Sequence, residues 1–191
     1  MTWIQTYTGK KFNVFDPDSD SICIEDIAHS LSLQCRFNGH CKEFYSVAEH
    51  CVRMVNEAHR VYKEYTPQLG FMLLLHDASE AYLCDIPRPI KHSEEFERYR
   101  ILEGNLEMII YGKFGLSINH ILENRSIVNH YDNRILVTEA RDLLSKPPED
   151  WQIVKEYQPF AGIIDPVAPV IAEKAYLQMF EHLQKLISGA E

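Results

Sequence analysis

The chain has 191 residues, of which 46% are hydrophobic and 25% are charged, and its formal net charge is -9. This composition is typical of a globular protein that can bury a full core, and we predict a single domain over residues 1–191. The negative charge argues against binding to nucleic acid or to an anionic membrane, because both need a basic protein surface.

Cysteine usage and the N-terminus bear on the compartment. The five cysteines are odd in number and show no Cys-x-x-Cys pair, which indicates reduced thiols rather than a disulfide framework or a zinc finger. The N-terminus lacks a basic segment followed by an apolar core, and no apolar run has membrane-spanning length. We therefore expect a cytoplasmic protein with no membrane partner.

The first elements along the chain are short. Residues 3–20 mix β-favouring residues with turn residues and predict a hairpin or two extended pieces, and residues 25–33 predict a short helix. Ser46 and Glu49 form a capping-box sequence, which predicts a helix from there to about residue 64. Thr66 and Pro67 predict the start of the next helix, which carries the apolar run 70–75.

The second half of the chain predicts longer helices. Residues 86–91 contain two alternating prolines, so we predict extended backbone there. Residues 93–114 and 118–144 predict two long helices, and prolines at 147 and 148 end the second. Asp165 and Pro166 predict the start of a last helix that continues to about residue 187. The sequence therefore predicts an all-α protein with a short extended N-terminal segment.

The pair His76-Asp77 directly follows the buried apolar run and precedes Glu80. An imidazole and a carboxylate at the end of a buried helix can bind one divalent cation, because both offer lone pairs where water is scarce. The alternative for any single histidine is a core residue whose hydrogen bonds are satisfied. His50 upstream and Asp132 downstream lie in other predicted helices and favour the metal site. For Asp132 the alternative is a salt bridge to Arg134 or Arg141.

His50, His76-Asp77 and Asp132, in this order on successive helices, resemble the metal ligands of the HD-domain phosphohydrolases. Residues 78–91 are similar to the stretch after the His-Asp pair in bacterial 5'-deoxynucleotidases, which have a Gly-Asp-Leu-Pro-Thr-Pro-Val-Lys type run. Segments 26–31, 36–40 and 45–50 are closer to a compact branch that includes the phage dATP triphosphohydrolases. The resemblance, over roughly residues 5–145, implies an HD-type helical bundle.

The resemblance implies a role for each matching residue. His50, His76, Asp77 and Asp132 would bind a divalent transition metal, and the mixed nitrogen and oxygen ligands favour Mn, Fe, Co or Zn over Ca. Glu80 and Asp85 would orient or deprotonate water, unless they are solvated helix-end carboxylates. Glu80 could instead hold a second divalent cation such as Mg or Mn.

Substrate contacts are expected from cationic and aromatic residues. Arg36 and Lys91 would neutralise phosphate charge, with a surface salt bridge and a solvated loop lysine as the respective alternatives. His40 is a further candidate for phosphate contact or for a structural role at a helix entry. Base recognition is expected around a cluster of aromatic and apolar side chains: Phe37, Ile86 and Tyr82.

Three departures from the deoxynucleotidase pattern bear on the substrate. The chain has Phe37 where that family has Trp, Cys84 where it has Gly, and Arg88 where it has Thr. Arg88 adds a cation near the predicted phosphate site, which favours a triphosphate.

We therefore expect a dATP triphosphohydrolase that releases deoxyadenosine and triphosphate. A 5'-deoxynucleotidase and a non-catalytic nucleotide-binding protein remain the alternatives. We also expect a small-molecule nucleotide substrate, a homo-oligomer, and a location in the cytoplasm, or in the host cytoplasm if the chain is phage-encoded.

Overall fold

A two-stranded antiparallel hairpin precedes a set of α-helices in the computed structural model, which describes residues 2–189. The elements are β1 (Trp3–Gln5), β2 (Lys11–Asn13), α1 (Ile24–Leu33), α2 (Val47–Val61), α3 (Pro67–Leu75), α4 (Glu80–Leu83), α5 (Arg88–Lys91), α6 (Glu97–Lys113), α7 (Ile118–Leu143) and α8 (Pro169–Ser188). This arrangement confirms the predicted all-α class with an N-terminal hairpin. Within residues 2–189, no helix is both long enough and apolar enough to cross a membrane.

Helix α3 lies at the centre of the bundle. It packs against α2, α7 and α8, and its residues from Leu69 to Leu75 are all buried. A helix that is apolar on every side needs such surroundings. Gly70 allows the close approach, because a Cβ atom there would lie 2.9 Å from Leu183 Cδ2 on α8. The end of α3 therefore delivers His76 into the interior of the protein.

The starts of α2 and α3 largely follow the sequence. Ser46 Oγ accepts a hydrogen bond from the Glu49 amide at 3.1 Å, and Thr66 Oγ1 accepts one from the Leu69 amide at 3.2 Å. The second predicted contact of the capping box, from the Glu49 side chain to the Ser46 amide, is wrong. The Glu49 carboxylate accepts from the Val167 amide at 3.0 Å instead of reaching back to its own helix start.

Two other local predictions are also wrong. Residues 88–91 form one helical turn, because Pro89 occupies the first turn, where an amide is not needed, and the Lys91 amide bonds to the Pro87 carbonyl at 3.0 Å. Helix α8 begins at Pro169 rather than near Asp165. The Asp165 carbonyl accepts from Arg53 Nη2 at 2.6 Å, so that part of the chain is held against α2.

Cys84 ends α4 in a strained conformation, directly before Asp85. Its φ of 71° and ψ of 152° lie in a region that glycine alone adopts readily. Its carbonyl accepts from Tyr99 Oη at 3.0 Å, which helps to hold the conformation.

Replacing Cys84 with glycine should raise the free energy of unfolding by about 1 kcal/mol. Relief of about 1–3 kcal/mol of strain outweighs the extra chain entropy of glycine, about 0.5–1 kcal/mol. The measurement is the midpoint of urea unfolding. Cys84→Ala is the control, because alanine keeps the Cβ atom. A glycine variant no more stable than the alanine variant would contradict the prediction.

Candidate metal centre

Four predicted ligands converge where three helices meet. Helix α2 supplies His50, the end of α3 supplies His76 and Asp77, and α7 supplies Asp132. His50 Nε2 lies 3.3 Å from His76 Nε2 and 3.5 Å from Asp132 Oδ1. Asp77 Oδ2 lies 3.1 Å from His76 Nε2 and 3.7 Å from His50 Nε2.

These separations fit a single metal ion. Atoms that bind one ion at about 2.1 Å lie about 3.0–3.4 Å apart in tetrahedral or octahedral geometry, close to the distances within this group. His50, His76 and Asp132 each offer an atom within 4.8 Å of the others. The group could therefore hold a metal ion, and two imidazole nitrogens with carboxylate oxygens suit a transition metal.

The second nitrogen of each histidine ring is held by another group. His50 Nδ1 lies 2.6 Å from Glu139 Oε1, and His76 Nδ1 lies 2.9 Å from the Leu73 carbonyl oxygen. Both Nε2 atoms are thereby directed at the carboxylates of the site. Such contacts fix the orientation of a ligand histidine and increase its basicity.

Glu139 is fully buried and was not predicted from the sequence. Besides His50, it contacts Arg36 Nε at 3.1 Å. Burial alone would raise the pKa of Glu139, but Arg36 and His50 hold it below its ordinary value. The one signal in the sequence is that Glu139 follows Asp132 by two helical turns and so shares its face of α7.

Cys51 forms a second group of potential ligands with His76 and Asp77. Its sulfur lies 4.0 Å from His76 Nδ1, the nitrogen that faces the Leu73 carbonyl. Burial raises the pKa of Cys51 to about 11, which keeps the thiol protonated. The group with His50 is therefore the better metal site.

Glu80, at the start of α4, is a buried carboxylate rather than a solvated helix-end acid. Its Oε1 lies 3.3 Å from Lys91 Nζ, while Oε2 is buried without a hydrogen-bond partner among the described residues. Burial, with repulsion from Asp77 and Asp85, raises the pKa of Glu80 well above its ordinary value. Burial likewise raises the pKa of Asp85. Both can therefore exchange protons closer to neutral pH than ordinary acids.

Two side chains of α6 hold Lys91 in place. Glu103 Oε1 lies 2.7 Å from Lys91 Nζ, so the ammonium bridges Glu80 and Glu103 and is not a solvated loop lysine. Arg100 Nη1 donates to the Lys91 carbonyl at 2.6 Å. Arg100 and Glu103 were not predicted as part of the site, because their contacts join α6 to a segment that lies earlier in the chain.

Arg36 and Arg88 pair with acids of the site. Arg36 is buried, with Nη1 3.6 Å from Asp77 Oδ2, and is not a surface ion pair. Arg88 Nη2 lies 2.5 Å from Asp132 Oδ2, and its Nη1 donates to Asn133 Oδ1 at 2.8 Å. Asp132 thus pairs with neither of the arginines on α7 that were its predicted alternatives.

A cavity of about 1080 Å³ opens onto the site. Most of the predicted site residues line it, and the predicted metal ligands His50 and His76 do not. Ile86 and His40 also belong to its wall. Tyr82 does not: its ring stacks on Phe12 in the core at 4.0 Å, so the expectation that Tyr82 contacts a base is wrong.

A second cavity, of about 180 Å³, reaches the same ligand group from another side. Its lining includes His76, Asp77 and Asp132, together with Arg125 and Asn129 of α7. The ligand group is therefore accessible from two cavities, which leaves space for ligands other than protein atoms.

No family model matches the chain. Two similar proteins were found, one over nearly the whole chain and one over part of it. The sequence is 35% identical over 189 residues to the uncharacterized protein YfdR of Escherichia coli, covering 97% of this chain and 98% of YfdR. It is also 34% identical over 120 residues to an uncharacterized protein of Rhodobacter capsulatus, covering 60% of this chain and 59% of that protein.

Changing Glu139 to glutamine should weaken metal binding by a factor of about 10–100, because His50 loses the carboxylate that orients its ring. The measurement is metal affinity in a competition titration with a chelator. Glu123→Gln is the control, since Glu123 is an exposed carboxylate on the same helix. Equal affinities in the two variants would show that Glu139 does not support the metal site.

Proposed function

The chain belongs to the family of the E. coli protein YfdR, and we propose that it is a metal-dependent phosphohydrolase of the HD type that acts on deoxynucleotides. One observation carries the proposal. The carboxylates of a histidine and carboxylate group that fits a metal ion line the same cavity as a carboxylate of raised pKa and three cations. A metal, a base and cations around one space are the parts that phosphate-ester hydrolysis requires.

The proposal assigns His50, His76, Asp77 and Asp132 to a transition metal such as Zn, Co, Mn or Fe. When bound, the cation would polarise a phosphoryl oxygen and make water more acidic. Two imidazoles and two carboxylates leave coordination positions for water and substrate if the metal takes five or six ligands. The resemblance to HD-domain enzymes and the separations between the ligand atoms both support this assignment.

Glu80 is the proposed general base. Its raised pKa makes it a stronger base than an ordinary carboxylate, and its buried Oε2 has no competing partner among residues 2–189. The contact with Lys91 keeps Oε1 in place, which leaves Oε2 as the atom that takes the proton from water. Asp85 would orient the same water. A second divalent cation such as Mg or Mn at Glu80 is compatible with the same unpartnered oxygen.

The proposed substrate is a deoxynucleoside triphosphate, with dATP favoured. Water attacks the α phosphorus, the bond between that phosphorus and O5' breaks, and O5' takes a proton, so that deoxyadenosine and triphosphate leave. Arg36, Arg88 and Lys91 line the cavity and supply cationic charge for the phosphates. Four carboxylates, of Asp77, Glu80, Asp85 and Asp132, line the same cavity, so a bound metal ion would add the positive charge that a polyphosphate tail needs.

A 5'-deoxynucleotidase with the same ligands is the second candidate, favoured by one observation. Arg88 is the cation that favours a triphosphate over a monophosphate substrate, and it pairs with Asp132 and Asn133. It must leave these partners, or share them, to bind a phosphate tail. A non-catalytic nucleotide-binding protein is the least favoured alternative, because binding alone does not need a buried base such as Glu80. For either enzyme we propose a homo-oligomer, and the cysteine pattern supports a location in the cytoplasm.

Product analysis tests the substrate. Incubation with dATP should yield deoxyadenosine and intact triphosphate, with dAMP a poorer substrate, and chelation should abolish hydrolysis until metal is restored. Arg88→Ala should reduce the use of dATP far more than the use of dAMP, because the lost charge faces only the longer tail.

Arg98→Ala removes an exposed cation on α6 and is the matched control. If inorganic phosphate is released fastest from monophosphates, and Arg88→Ala changes neither activity, the deoxynucleotidase is favoured. Full activity in metal-free protein would refute both the triphosphohydrolase and the deoxynucleotidase as proposed.

Changing Glu80 to glutamine should lower turnover by a factor of about 100 or more while the metal stays bound, because the amide keeps the shape but cannot accept the proton. The measurements are turnover and metal content of the same preparation. Glu94→Gln, at an exposed position, should change neither. Retained turnover with lost metal would make Glu80 a ligand instead of the base.

A further inference from the structure

Two groups of side chains of different chemistry line the large cavity. We call the charged group, which contains the acids and cations of the proposed reaction, the ionic end. We call a group of uncharged side chains on or near α7 and at Phe37 the apolar end: Phe37, Leu136, Leu144, Trp151 and Ile153. A phosphate chain would occupy the ionic end alone. The apolar end therefore needs a separate explanation.

The position of Trp151 is set by contacts that the sequence does not reveal. Trp151 immediately precedes the helical turn Gln152–Lys155, which packs against α7. The chain that follows the turn is attached to α7: Arg134 Nε donates to the Gln158 carbonyl at 3.1 Å, and the Phe160 amide donates to Thr138 Oγ1 at 2.9 Å. The Arg134 guanidinium also lies over the Phe160 ring, 4.1 Å from its centroid. These anchors fix the turn at the cavity wall.

Helix α7 connects the two ends of the cavity. Asp132 and Leu136 both line the cavity and are one helical turn apart, which corresponds to about 6 Å along the axis. The organic part of a molecule whose phosphorus lies near Asp132 therefore reaches Leu136 within a few bonds. The apolar end is a continuation of the reaction site and not a separate cleft.

We propose that Trp151 is a base-contacting residue, and that the apolar end receives a flat, uncharged heteroaromatic ring joined to the phosphate at the ionic end. The rings of Trp151 and Phe37 offer surfaces for stacking, which tolerates any base. The amides of Gln152 and Asn38, also in the cavity wall, can bond to the edge of such a ring. The inference rests on the proposed function for the phosphate half of the ligand.

Tryptophan fluorescence can test the inference without any turnover. The chain has two tryptophans, and Trp3→Phe leaves Trp151 as the sole one while keeping a ring beneath the Lys11 ammonium. The metal-loaded Trp3→Phe protein should be titrated with each of the four deoxynucleosides and with inorganic triphosphate. At least one nucleoside should quench Trp151 at concentrations where triphosphate changes the emission little. An equal response to triphosphate, or no response to any nucleoside, would overturn the proposal.

Variants at position 151 separate base contact from a structural role. Trp151→Leu should raise the nucleoside Kd, measured by calorimetry, by about tenfold or more, and Trp151→Phe should restore it to within about threefold, because the phenyl ring still stacks. Val154→Ala, in the same turn but outside the cavity wall, is the control and should change nothing. Equal losses in the leucine and phenylalanine variants would overturn stacking as the role of Trp151.

Kinetics distinguish this inference from the proposed function. Trp151→Leu should lower kcat/KM for the preferred deoxynucleotide about tenfold and leave hydrolysis of a phosphate ester without a base unchanged. Hydrolysis of nucleotides with no Trp151 response would refute the base contact alone. A nucleoside response in a protein that hydrolyses no nucleotide with any metal would refute the proposed function and leave the base contact standing.

Discussion

The candidate site depends on the two contacts of the buried Glu139 carboxylate, with His50 and with Arg36. A fully buried carboxylate is costly unless each oxygen finds a cationic or hydrogen-bonding partner. Its two oxygens contact His50 Nδ1 and Arg36 Nε, so one acid joins α7 to α2 and to the turn that carries Arg36. His50 then presents Nε2 to the other ligands, and Arg36 presents Nη1 to Asp77. Moving any of these partners would leave a buried charge uncompensated.

The same alternation of charge extends outward from Glu139. Arg88 faces Asp132, and Lys91 lies between Glu80 and Glu103. Each cation thus has a carboxylate partner before any ligand arrives, which limits the repulsion among acids in a negatively charged chain. A phosphate entering the cavity must compete with these carboxylates for the cations. Burial strengthens both interactions, because fewer water molecules screen them.

The predictions from sequence succeeded where a few neighbouring residues decide the outcome. Ser46 and Thr66 begin helices, because their hydroxyl groups accept from amides three residues later. The start of α8 was missed, because Asp165 is held by Arg53, which lies more than a hundred residues earlier. The same difference between local and distant contacts applies to the residues of the candidate site. Motifs named many of the polar residues in the cavity wall, whereas Glu139 acts through His50 and Arg36, which lie 89 and 103 residues earlier in the chain.

Strained backbone occurs at three residues that lie next to charged groups of the site in the chain. Phe37 and Asn38 follow Arg36 with φ values of 54° and 52°, and Cys84 precedes Asp85 with a φ of 71°. Hydrogen bonds hold both segments: the His40 amide donates to the Phe37 carbonyl at 3.0 Å, and Tyr99 Oη donates to the Cys84 carbonyl at 3.0 Å. Strain of this kind persists only where its surroundings determine the backbone. Here it lies next to a guanidinium and a carboxylate in the wall of one cavity, and the positive charge of Arg36 opposes the rise that burial causes in the pKa of Asp85.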